Sequence, residues 1–191
     1  MRMRPIRPPP RERILQAAQE LFSTEGLRRV TVDAVAERAN TTKMAVYRHF
    51  ASKEALVGEW LAIVIAQYAG ELDRLAREHP VDARAQLTGW VRFVSDSLPR
   101  LSYRGCPFVN SLAELPDRED PARQQIERHK ARQTNRITRL CIEAGLPEPE
   151  IAAAHLILLL EGAQVTVQND SVDEVQKRLL IIVGQLLGAC S

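Results

Sequence analysis

The chain has 191 residues, 45% of them hydrophobic and 26% charged, with a formal net charge of +2. That length suits one compact domain or a small domain fused to a larger one, and the composition supports a buried core. No stretch reads as a transmembrane span: the longest apolar run, Ile151 to Leu160, contains His155 and stops at Glu161, short of the ~20 residues a span needs. The basic N-terminus carries Pro8-Pro9-Pro10 where a signal peptide needs an apolar stretch, so a cytoplasmic location is expected. Cys106, Cys141 and Cys190 are odd in number and widely spaced. They make neither a disulfide framework nor a zinc signature, and they fit a reducing compartment.

Charge is unevenly distributed. Residues 1–53 hold eleven Arg and Lys against five Asp and Glu, and the remainder holds fifteen against nineteen. A basic head on an acidic body is compatible with polyanion binding.

In chain order, residues 1–10 form an Arg- and Pro-rich arm with Arg2, Arg4 and Arg7. This arm is expected to form no helix and to be disordered. Ile14, Leu15, Ala18, Leu21 and Phe22 share one face of a helix over about 11–24, stopped by Gly26. Thr31 reads as an N-cap for a helix with Val32, Val35, Ala36 and Ala39 inward, ended by Asn40. Thr42 caps a short helix to His49, and Ser52 caps a long one from Lys53 into the 70s. Further helices are expected at about 82–98, 107–115, 120–144, 149–168 and 173–188, with no sheet. The class is therefore all-α, with about nine helices in three parts: the arm 1–10, a three-helix head 11–53 and a helical bundle 54–191.

Two short helices joined at Asn40-Thr41 make a helix-turn-helix. Its second helix presents N-terminal side chains to the major groove. Thr42, Lys43, Met44, Ala45 and Arg48 are expected to face DNA, with Val46 and Phe50 inward. Met44 either touches a thymine methyl or stands in solvent, and the arm either enters a minor groove or lies along phosphates, or is a solvated tail.

The stretch RILQAAQELFSTEGLRRVTVDAVAERANTTKMAVYRHFASKEAL, Arg13 to Leu56, resembles the DNA-binding region of the tetracycline-repressor (TetR) family. Matching elements are the Ile-Leu-x-Ala-Ala-x-x-Leu-Phe run, Gly26, Thr31-Val32, Val35-Ala36, Ala39, Thr42, Val46-Tyr47, His49-Phe50, and Ser52-Lys53-Glu54 with Leu56. The resemblance implies that Tyr47, His49 and Lys53 contact backbone phosphates, with Thr31 a further candidate. A phenol, an imidazole, an ammonium and a helix N-terminus all suit phosphate oxygens. Asn40 stands where the family usually has glycine, Thr41 where it has an apolar residue, and Met44 where it has a small residue or proline. These departures bear on operator sequence.

The resemblance also implies a C-terminal domain that binds a small effector and dimerises. Candidate pocket residues are Trp60, Val64 and Gln67 on the long helix, Trp90 and Phe93 on the next, and Cys106, Phe108 and Asn110 around the short one. Aromatic walls with a few polar groups suit a ligand, although the same residues equally suit a core. Arg104-Gly105-Cys106-Pro107 with Asn110 is similar to a Gly-Cys-x-x-x-Asn segment of family members that respond to electrophiles or oxidants. Cys106 is then either a sensor or a small buried hydrophobe. Leu156, Leu159, Ala163 and Val167, with Val175, Leu179, Ile182, Val183 and Leu186, are expected to form a four-helix interface with a second copy, or else to be internal core.

A homodimer sets two recognition helices one helical turn apart, ~34 Å, on a pseudo-palindromic DNA operator. The expected function is repression relieved by a small-molecule effector, with activation or Cys106-based redox sensing as alternatives. No enzyme is expected, and neither cofactor nor metal. His49, His79, His129 and His155 lack metal spacing, and there is no phosphate loop or nucleophile elbow.

Overall fold

A computed structural model describes residues 8–100 and 104–188. Arg2, Arg4, Arg7 and Cys190 lie outside the described residues. The described residues contain nine α-helices and no strand, as the helical periodicity and capping residues predict.

α1 (Pro10–Glu25) starts one residue inside the expected arm. Proline's fixed φ and missing N–H suit the first helical position, so Pro10 opens the helix instead of preventing it. Ile14, Ala17, Ala18, Leu21 and Phe22 are buried along one face. Gly26 closes the helix at φ +88°, donating its N–H to Phe22 O at 3.1 Å.

α2 (Val32–Arg38) and α3 (Lys43–His49) are each capped by a threonine hydroxyl. Thr31 Oγ1 accepts from Ala34 N at 3.1 Å, and Thr42 Oγ1 from Ala45 N at 3.2 Å. Asn40 takes φ +50° between them, and Thr41 N reaches back to Ala36 O at 2.9 Å. That is the left-handed closure of a helix C-terminus, which Asn tolerates. Arg13 on α1 locks the turn, its Nη1 donating to Ala39 O at 2.9 Å and Asn40 O at 3.3 Å.

α4 (Lys53–Glu78), capped by Ser52, runs from the head through the body and packs on α1, α5 and α7. α4 is long and apolar enough, by length and composition alone, to cross a membrane, which the sequence reading did not find. Its apolar side is nonetheless packed within the protein, with Leu56, Trp60, Leu61, Tyr68, Leu72 and Leu75 buried. α5 (Ala83–Ser97) and α7 (Pro121–Glu143) flank it, α6 (Pro107–Glu114) packs on α7, and α8 (Pro149–Thr166) and α9 (Val172–Leu186) close the bundle.

Candidate nucleic-acid interface and adjoining cavity

The outer surface of α3 is polar and accessible. Thr42, Lys43, Arg48 and His49 are exposed, as are Met44 (73%) and Tyr47 (44%). Val46 and Phe50 are buried and seat the helix on α1 and α2. Lys53, half-buried, begins α4 beside this surface, and Thr31 is exposed at the start of α2. Ala45 differs from the expectation: it is 6% exposed and shares the inward side of α3 with its buried neighbour Val46, so the helix rests on it and does not present it to DNA. Lys43 Nζ is held by Asp33 Oδ2 at 2.8 Å, and this bond raises the ammonium's pKa. Arg11 ties α1 to α4 through Glu59 and lies over the Phe50 ring at 5.2 Å.

A cavity of about 330 Å³ opens where the head meets the body. Trp60, Val64, Gln67, Phe93 and Asn110 line it, as do Phe22, Ser23 and Gly26 of α1 and its cap. Three expected pocket residues do not. Trp90 is 1% exposed and stacks on Phe93 with centroids 5.4 Å apart. Phe108 packs edge-on to Tyr68 at 5.2 Å and against His129 at 4.7 Å. Phe108 and Cys106 border a separate void of about 30 Å³ instead. Helical spacing put these residues on the correct helices but left open whether they face the cavity or the core. Tyr68, one turn beyond Val64, also lines the cavity and continues the i, i+4 row from Trp60. The α1 contribution had no sequence signal, since that helix reads as part of the DNA-binding head.

An ion pair fastens the two halves beside this cavity. Arg104 Nη2 donates to Glu114 Oε1 at 3.2 Å, and its Nη1 to Thr24 O at 3.3 Å. Glu114 Oε2 accepts the backbone N–H of Arg28 at 2.7 Å. Both partners of the pair crowd Gly26, where any Cβ would collide with them.

The arrangement around Cys106 opposes redox sensing. The thiol is 5% exposed and burial pushes its pKa up, whereas a reactive cysteine needs access and a lowered pKa. Arg104, the cation two residues away in sequence, is turned toward Glu114. Cys106 is expected to stay unlabelled by maleimide in the folded protein at neutral pH and to label fully in urea. Peptide mapping by mass spectrometry checks this, and rapid native labelling contradicts it.

His129 is 4% exposed, and its Nε2 has no partner among the described residues. Burial, with Arg132 and Lys130 nearby, lowers its pKa to about 4. The folded state therefore resists a proton that the unfolded chain accepts near its ordinary value of about 6.5. Stability is present above that value and is lost as the pH falls toward 4, by ~2 kcal/mol at about pH 5. Urea midpoints at pH 7.5 and 5 should show His129→Phe missing this loss. An unchanged pH dependence in the variant would refute it.

Along α8 and α9 the apolar surface divides in two. Leu156, Ala163, Val167, Val175, Leu179 and Val183 are buried within the protomer and keep little surface for a second copy. Leu159, Ile182 and Leu186 do line an open groove of about 390 Å³, together with His155 and Leu158. Leu158 (66%), Ile181 (53%), Ile151 (52%) and Val165 (47%) extend this exposed side. α8 is apolar nearly all round, so periodicity alone cannot separate its inner face from its outer one.

A threonine-capped helix-turn-helix on a helical body defines a DNA-binding transcriptional regulator. Residues 14–59 match the model for bacterial regulatory proteins of the tetR family, and residues 80–175 match the tetracyclin repressor-like C-terminal domain. The chain belongs to the TetR family of transcriptional regulators. It is 24% identical over 152 residues to the HTH-type transcriptional regulator YjdC of Escherichia coli (strain K12), covering 80% of each chain. A TetR-family transcriptional regulator from Streptomyces coelicolor superimposes with a TM-score of 0.87 at 26% identity, over 94% of this chain and 95% of that one. A TetR transcriptional regulator from Legionella pneumophila shares the fold with a TM-score of 0.77 at 16% identity, over 97% and 98%.

Proposed function

We propose that the protein is a cytoplasmic homodimeric repressor that binds a pseudo-palindromic operator and is released from it by a small-molecule effector. The observation that carries this reading is the position of the cavity. Its wall is built from both α1 of the head and α4 to α6 of the body, so a ligand there changes how the head sits. The exposed groove on α8 and α9 is the natural contact for the second copy, since a large apolar patch at the surface is otherwise costly. In the dimer each α3 enters a major groove, with Thr42, Lys43, Met44 and Arg48 toward base edges. Tyr47, His49, Lys53 and Thr31 hold phosphates.

Effector and DNA then oppose each other through one equilibrium, and each weakens the other by the same factor. Selection of genomic fragments by the purified protein, followed by footprinting, tests the reading: a symmetric protected site is expected. Lys53→Ala should weaken binding to all sequences alike and lower the slope of log K against log salt by about one per protomer. Met44→Ala should instead alter sequence preference. Failure to protect any DNA at low salt would overturn the proposal.

A further inference from the structure

We infer that the effector of the head–body cavity is a small organic anion, a carboxylate on a flat apolar body, and that Arg104 receives its charge. The inference rests on reading this cavity as the effector site. Among the described residues of the wall, Arg104 is the one cation and Glu114 the one anion. The two are not equally engaged. Glu114 is anchored by the head, through the 2.7 Å bond from Arg28 N, and its backbone carbonyl accepts from Arg28 Nε at 3.1 Å. The Arg104 guanidinium makes only two bonds, at 3.2 and 3.3 Å, both at the long end of the range. Three of its five N–H groups therefore have no partner among the described residues.

The Arg104 main chain, by contrast, is fixed. Its carbonyl accepts from Asn110 Nδ2 at 2.5 Å and from Gln168 Nε2 at 2.9 Å. A firmly held backbone with an under-used planar fork is a good receptor for a carboxylate, which binds such a fork bidentately. The same wall carries the rings of Phe22, Trp60, Tyr68 and Phe93. The indole N–H of Trp60, one of these wall residues, is buried with no acceptor among the described residues. A volume of about 330 Å³ limits the ligand to the small end of the drug-like range. A carboxylate that engages Arg104 draws it from Glu114 and from Thr24 O, the last turn of α1. Charge recognition and release of the head are thus one event.

Calorimetric titration with matched acids and amides tests this: 2-naphthoate and 2-naphthamide, indole-3-acetate and indole-3-acetamide, phenylacetate and phenylacetamide. At least one acid is expected to bind about tenfold or more tighter than its amide. Arg104→Gln should abolish that preference, Arg104→Lys should keep part of it, and Glu114→Gln should tighten acid binding by freeing the guanidinium. Circular dichroism melts confirm that each variant is folded. Equal affinity for acid and amide, a preference that survives Arg104→Gln, or no acid binding up to about 1 mM overturns the inference. Gln67→Trp, which fills the mouth of the cavity, separates the two levels. If acid and amide bind equally and both are lost in this variant, the cavity stands as the effector site and only the anion assignment fails. If Gln67→Trp leaves binding of every probe untouched, the cavity reading itself fails.

Discussion

A double Leu158→Glu, Ile182→Glu variant is expected to be a folded monomer that has lost operator binding. Both side chains stand on the outer face of the last two helices, 66% and 44% exposed, so within one protomer their replacement leaves the core intact. Across a two-fold axis each glutamate meets apolar surface and a like charge, which no partner offsets. A single head keeps only the contacts of one half-site, and its affinity falls by about a thousandfold, toward the non-specific level. Light scattering gives the mass and footprinting gives the affinity. A dimer that persists with full operator affinity would place the second copy elsewhere. The contrasting variant is Val183→Glu, one residue along but 3% exposed. It buries a charge inside the protomer and is expected to prevent folding altogether.

The second large effect is expected at Gly105. Its φ is +79°, and a Cβ there would run into the carbonyl oxygen of Gln164 on α8. Positive φ alone costs an alanine ~1–2 kcal/mol. The obstructing atom is main chain of a packed helix, so either α8 or the loop must move. Gly105→Ala should therefore lose ~3 kcal/mol or more in urea unfolding. Gly26 is the comparison. Its φ is +88°, but the atoms in the way are the side-chain ends of Glu114 and Arg104, which can swing aside. Gly26→Ala should cost ~1–3 kcal/mol, because φ +88° with ψ 171° is a conformation that glycine alone adopts readily, and should also open the ion pair that clasps the head. Equal losses at the two positions would show that the packing against α8 carries no weight.

Much of the architecture is legible one residue at a time. Thr31, Thr42 and Ser52 announce helix starts because a side-chain oxygen at that position satisfies a free amide, and each hydroxyl makes that bond. Gly26 and Asn40 announce helix ends because they tolerate positive φ, and both adopt it. Pro10 shows the limit of such reading. The same residue that ends one helix can open another, and only the helix that follows decides which.

Such one-dimensional signals are local: the nine helices among the described residues, the caps at Thr31, Thr42 and Ser52, a basic helix-turn-helix and a resemblance to one family. Tertiary structure alone decided which way each apolar residue faces. α8 is apolar on nearly every side, so Leu156 and Leu158 look alike in one dimension, yet one is sealed in the core and the other stands in the open. The joining of Arg28, Arg104 and Glu114 around Gly26 depends on residues up to 86 positions apart. No periodicity encodes a meeting at that separation. It arises only when helices pack, which is why the cavity wall on α1 and the clasp beside it have no signature in the linear chain.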